Sequence, residues 1–157
     1  MAVDAFIYFE PAKGGTKPDG ETLDKFFATK QAFELKEFSF DIENPATIGS
    51  ATKGAGGGKV KFNEFNIKKS TDWASTIFFK NCVVGAHYDK VVIAVRKAGA
   101  SSDAAGMPYL EYCFSVVFTT KIEWSGPGDE GPEESITFAF GQLGIFYRKQ
   151  GKDGSLE

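Results

Sequence analysis

The chain has 157 residues and a mass of 17.1 kDa, the length of one ordinary domain with no room for a second. Hydrophobic residues at 42% and charged residues at 25% exclude wholesale disorder, and a net charge of −3 lacks the cationic excess that nucleic-acid binding needs. The 16 Phe and 18 Gly, set against 2 Met and 6 Pro, suit a twisted, bent β-structure better than a helix bundle.

Ala5 to Glu10 predicts a first strand, ended by Pro11. Residues 11–31 are polar and contain Gly14, Gly15, Pro18 and Gly20, a loop with a helical turn near Leu23 to Phe27. Ala32 to Ile42 reads as a second strand whose apolar positions change phase between Leu35 and Phe38, which predicts a bulge near Glu37. Asn44 to Gly58 is Gly-rich with no hydrophobic period, an extended loop. Lys59 to Lys69 resumes a strand, again with a phase change, from Val60 and Phe62 to Phe65 and Ile67.

Ser70 or Thr71 caps a predicted helix running to about Val84, with Asp72 in its first turn, Gly85 at its end, and Trp73, Ile77 and Phe78 or Val84 as its apolar stripe. Lys90 to Ala98 is a strand and Gly99 to Pro108 a small-residue loop. Tyr109 to Trp124 alternates without interruption, placing Leu110, Tyr112, Phe114, Val116, Phe118 and Trp124 on one face and Cys113, Val117 and Thr119 on the other. Ser125 to Pro132 is a turn cluster. Ser135 to Lys149 is a last strand that switches phase at Gly141. Together these elements predict a mainly β (α+β) fold: a closed or nearly closed β-barrel of two packed sheets, one helix on its side and an extended Gly-rich loop, in a single domain over residues 1–157. Leu156-Glu157 matches the remnant of a cloning site and is set aside.

No segment carries a recognisable chemistry. His87, the only histidine, has no nucleophile elbow to serve and follows a helix end, so it reads as a structural or interface residue. One His and two scattered cysteines, Cys82 and Cys113, make no zinc constellation; the cysteines read as small buried hydrophobes of a reducing cytoplasm. Lys53 to Val60 brushes against a phosphate loop but lacks its first Gly and its Ser or Thr, and opens into a strand. Asp129, Glu130, Glu133 and Glu134 read as a solvated acidic turn, and Lys59, Lys61, Lys68 and Lys69 as a mildly basic stretch. Neither a secretory signal nor an apolar membrane span is expected. No catalytic residue, cofactor or metal ligand is assigned.

Several segments in series resemble the haemolysin-coregulated protein (Hcp) family: MAVDAFIYF at the start, Ile67-Lys-Lys-Ser-Thr-Asp72, Gly85-Ala-His87-Tyr88, Val91 to Gly99, Tyr109-Leu-Glu-Tyr and Glu134 to Phe140. The resemblance covers nearly the whole chain, loosening at 11–31 and 100–108. It implies a non-enzymatic tube protein of a bacterial type VI secretion system, related in fold to phage tail-tube proteins. Protomers of that family form a six-membered ring; rings stack into a tube within a contractile sheath behind a spike. The tube carries or shelters effectors, and it leaves the cytoplasm through the system without a cleaved signal peptide. On this reading Arg96, Lys97 and Glu123 are rim contacts of the ring, Cys113, Val117 and Thr119 belong to its subunit interface, and Gly54, Gly56, Gly57 and Gly58 lie in the loop reaching the next ring. The alternative is a monomeric β-barrel that binds a small ligand or glycan in an aromatic-lined pocket.

Overall fold

The computed structural model describes residues 3–49, 54–57, 59–97 and 107–149; the side chains of 46–49 and 54–57 are not described. In chain order the elements are β1 (Val3–Pro11), a single helical turn α1 (Lys25–Ala28), β2 (Phe33–Leu35), β3 (Glu37–Ser39), β4 (Ile42–Glu43), β5 (Ala46–Gly49), β6 (Gly54–Gly57), β7 (Lys61–Phe62) and β8 (Phe65–Ser70). They continue with α2 (Ser75–Val84), β9 (His87–Lys97), β10 (Leu110–Ser125) and β11 (Glu133–Tyr147).

Seven strands form one antiparallel sheet in the order β2-β1-β9-β10-β11-β8-β3. Its two edges, β2 and β3, are consecutive in the chain and separated only by Lys36, whose N–H donates to the Lys68 carbonyl at 2.9 Å. The sheet is therefore closed on itself. The phase change expected as a bulge near Glu37 is this crossing: the chain leaves one sheet edge at Leu35 and joins the other at Glu37. The phase change in 59–69 likewise separates two strands, β7 pairing with β4 and β8 pairing within the barrel. The Gly-rich loop is an antiparallel ribbon, β5 against β6, with Ala46 opposite Gly57 and Gly49 opposite Gly54.

Inward residues from alternate positions fill the barrel. Phe65 stacks on Phe114 and Phe138 at centroid distances of 4.1 and 4.8 Å, and Phe9 meets Tyr88, Phe78 and Phe138 at 5.0, 5.1 and 5.8 Å. All six of these side chains are buried. Phe78 is the residue by which α2 enters this core. The helix begins later than its Ser and Thr suggest, at Ser75 with Ala74 as its N-cap and no side-chain capping bond; the Asp72 carboxylate accepts from the Ala74 N–H at 3.0 Å in the turn that leads into it. It ends as expected at Gly85, which takes the left-handed φ of 69° that a side chain would resist. Trp73 and Val84 are 76% and 64% exposed and so do not belong to the stripe that packs inward.

β10 is not the uninterrupted strand that its alternation suggests. Val116 has φ 56°, a left-handed conformation that a β-branched residue rarely adopts, and side-chain direction reverses there. Phe114 points inward before the break, Val117 and Thr119 point inward after it, and Val116 and Phe118 face out. A second shift between Thr119 and Lys121 returns Ile122 to the inside.

Candidate assembly surface

The outward face of the β1–β9–β10–β11 wall is built from residues aligned by register. Tyr8, Val92, Cys113 and Gly144 form one row; Glu10, Lys90, Ser115 and Gln142 form the next. Of the interface candidates, Cys113 lies on this face and is half-buried; Cys82, in α2, is half-buried too, so neither is the fully buried cysteine expected. Burial, with Glu111 and Glu10 behind it, raises the Cys113 thiol above its ordinary range, while Lys90 opposes the shift. Val117 and Thr119 are corrections: the break at Val116 turns both into the barrel, where Val117 is core, so neither can meet a neighbour from the outer wall.

Arg96 is also placed differently from a rim contact. Its guanidinium stacks over Phe6 and Phe27 at 5.0 and 5.5 Å, pairs closely with Asp24 and lies 3.7 Å from Asp4. Asp24 in turn accepts from the N–H groups of Phe26 and Phe27 at 3.0 and 3.1 Å, capping α1. The group fastens α1 over the outside of β1 and β9, where Phe6, Phe27, Ala32 and Ala94 form a second small core. An open cleft of about 300 Å³ lies alongside, lined by Asp4, Asp24, Glu34 and Arg96. Glu123 is exposed and pairs with Lys121 at 2.8 Å. Lys97 is half-buried at the end of β9. Gly54, Gly56 and Gly57 lie in β6; Gly58, Lys53, Ala98 at the end of the expected strand, the 99–106 part of the expected loop and Leu156-Glu157 lie outside the described residues.

The acidic turn divides. Glu130 and Glu133 hold Lys36 at 2.9 and 2.5 Å, whereas Glu134 is buried. Glu134 pairs closely with Lys69, itself 1% exposed, and accepts from the Ser75 hydroxyl at 2.8 Å and the Trp124 indole N–H at 3.1 Å. Lys69 reaches Asp72 at 3.0 Å and lies 5.0 and 5.3 Å above the Phe33 and Phe78 rings. This buried knot ties β8, β10, β11 and the start of α2. Sequence reasoning missed it, although the phase was visible: Phe65, Ile67 and Lys69 alternate inward, as do Glu134, Ile136 and Phe138. His87 is exposed, 3.4 Å from Asp89 and 5.4 Å from the Phe118 ring centroid. Among the described residues no group of three or more His, Cys, Asp or Glu is arranged to hold a metal ion, and no helix is long and apolar enough to cross a membrane.

The class defined here is a β-barrel filled by its own aromatic rings, with α2 packed against it through Phe78 and a separate two-stranded ribbon. Residues 12–147 match the family model described as Type VI secretion system effector, Hcp, and the chain belongs to that family. Protein hcp1 of Pseudomonas aeruginosa is 28% identical over 98 residues, 62% of this chain and 59% of that protein, so the aligned stretch spans little more than half of that relative. A solved structure described as a type six secretion system protein superposes with a TM-score of 0.84 at 24% identity, over 99% of this chain and 90% of that one. Hcp1 from Salmonella typhimurium superposes with a TM-score of 0.70 at 23% identity, over 93% and 88%. These likenesses establish the fold as that of Hcp proteins.

Proposed function

We propose that this chain is the ring-forming tube subunit of a type VI secretion system. Six copies close a ring, rings stack into a tube, and the lumen carries or shelters effectors behind a spike and within a sheath. The work is mechanical containment, with no catalytic step.

One observation carries this reading beyond family membership. The barrel is already full, yet aromatic side chains remain outside it: Phe118, Trp124 and Phe146 are 40%, 54% and 55% exposed. Surfaces of that kind suit burial against further copies. A ligand-carrying monomer would need a hollow interior, and here Phe9, Phe65, Phe114 and Phe138 occupy it. Cys113 on the outer wall, together with Lys97 and Glu123, remains a candidate for ring contacts, and the ribbon carrying Gly54, Gly56 and Gly57 a candidate for stacking. Light scattering on the eluted protein tests the reading: the expected mass is near six times 17.1 kDa, with rings in negative-stain images. A lone particle of 17.1 kDa at high concentration overturns it.

A further inference from the structure

We propose that residues 21–30 are a flap that lifts from the outer wall of β1 and β9 as one unit while the barrel stays folded, with Arg96 and Asp24 as its latch. The proposal does not rest on the ring reading and concerns the single chain. Lifting uncovers Phe6 and Ala94 and frees the Arg96 guanidinium, so the latch sets how often the chain presents this strip of wall.

The chain on either side of the flap is fixed. Pro18 is buried, and the Asn81 amide donates to the Thr16 carbonyl at 3.4 Å, which ties the incoming arm to α2. The outgoing arm enters β2, where Phe33 pairs with Ile7. The two arms meet at a neck. There the Gly20 N–H donates to the Gln31 carbonyl at 2.9 Å, and the Lys17 ammonium reaches the Lys30 carbonyl at 3.4 Å. A Cβ on Gly20 would collide with the Ala32 carbonyl, so glycine is what lets the arms touch. Gln31, also at the neck, takes a left-handed φ of 53° that few residues with a side chain adopt.

Among the described residues, the flap's attachment beyond this neck is small. Phe27 is its buried side chain, stacked on Phe6 at 4.1 Å; with Ala32 and Ala94 they form a core separate from that of the barrel. The Asp24 carboxylate pairs with Arg96, the Lys30 ammonium lies 5.1 Å over the Tyr8 ring, and the Thr22 hydroxyl donates to Glu34 at 3.1 Å. Other bonds close the flap on itself without holding it down. The Phe26 and Phe27 N–H groups donate to the Asp24 side chain, the Lys30 N–H to the Phe27 carbonyl at 3.1 Å, and the Thr29 hydroxyl to the Phe26 carbonyl at 2.7 Å. Open space adjoins it: the cleft beside Asp24, and a second cleft of about 480 Å³ lined by Glu21, Thr22 and Leu23 together with Phe33, Leu35 and Lys69. Leu23 is 95% exposed. A segment held by one buried ring and one ion pair opens at a lower free energy than a wall held by the ring-filled core.

Hydrogen exchange on the native chain reads the lifting. A single helical turn does not persist off its support, so the Phe26, Phe27 and Ala28 amides, all bonded to Asp24, exchange when the flap lifts. They are expected to share one protection factor, at least 100-fold below that of Val91 to Ile93 in β9. Arg96→Gln removes the latch and keeps the Asp24 cap; it is expected to lower flap protection tenfold or more while β9 and β10 keep theirs. Phe27→Ala, which removes the buried ring, is expected to do the same and serves where Arg96→Gln does not fold. Flap amides as protected as those of β9, or with unrelated protection factors, overturn the flap. A variant in which flap and β9 lose protection equally, or in which the flap loses none, overturns the assigned attachment. A monomeric native mass removes the ring reading and leaves this inference standing.

Discussion

Lys69 carries an ammonium into a site walled by Phe33 and Phe78, and its stability there depends on Glu134 and Asp72. Removing one member of a buried pair strands the other charge, which costs about 3–5 kcal/mol. Lys69→Met alone is therefore expected to lower the urea midpoint severely, and Lys69→Met with Glu134→Leu to recover much of the loss. A double variant no more stable than the single would mean that the pair does not act as a unit. Tyr8 makes a separate prediction. Its folded pKa of about 12 lies above the ordinary phenol value near 10, so the unfolded chain releases this proton first. The Tyr8 contribution is complete below pH 10 and declines as pH rises towards 12. Tyr8→Phe should flatten that part of the stability profile measured by denaturant titration, and an unchanged slope would argue against the shift.

At the scale of elements, α1 is one helical turn held by Asp24 and Arg96. Burial alone would raise the Asp24 carboxyl, but the Arg96 guanidinium and the Phe27 and Phe26 amides outweigh it and hold it below the usual carboxylate range. Its stabilisation is thus present above the ordinary carboxylate pKa and lost as pH falls through the lower folded value. Asp24→Ala should cost about 1–2 kcal/mol through the lost cap and flatten the acid limb of the denaturation profile. Arg96→Glu would set a third carboxylate beside Asp4 and Asp24 and destabilise the protomer, so Lys97→Glu is the cleaner probe of ring contacts. In β10, Val116→Gly should relieve the left-handed strain and raise stability by about 1 kcal/mol, read as a higher denaturation midpoint. The sequence revealed element type well and side-chain direction poorly. Period-two patterns disclosed β1, β9 and β11, and Gly85 fixed the end of α2. Val116 hid its own break because Val117 and Phe118 are both apolar, so either phase looked plausible. The ribbon was invisible because Gly-rich strands have no hydrophobic period, and Lys69 and Glu134 were misread because charge was allowed to outweigh phase.

At the scale of the whole molecule, the ribbon and the barrel separate two tasks. β5 and β6 pair only with each other, so replacing residues 46–57 by a short turn should leave the barrel and its native mass unchanged while shortening the tubes in negative-stain images. Tubes of equal length would remove the ribbon from stacking. The seam at Lys36 has its own consequence. β3 closes the sheet by pairing with β8, and β8 is joined to the rest through β11, the final strand. Until β11 is made, β8 and β10 each keep a bare edge, although β1 already has β2 and β9 to pair with and β3 has β8. Closure of this kind has high contact order and is slow. Rings can therefore be built only from subunits in which β11 has already docked between β10 and β8.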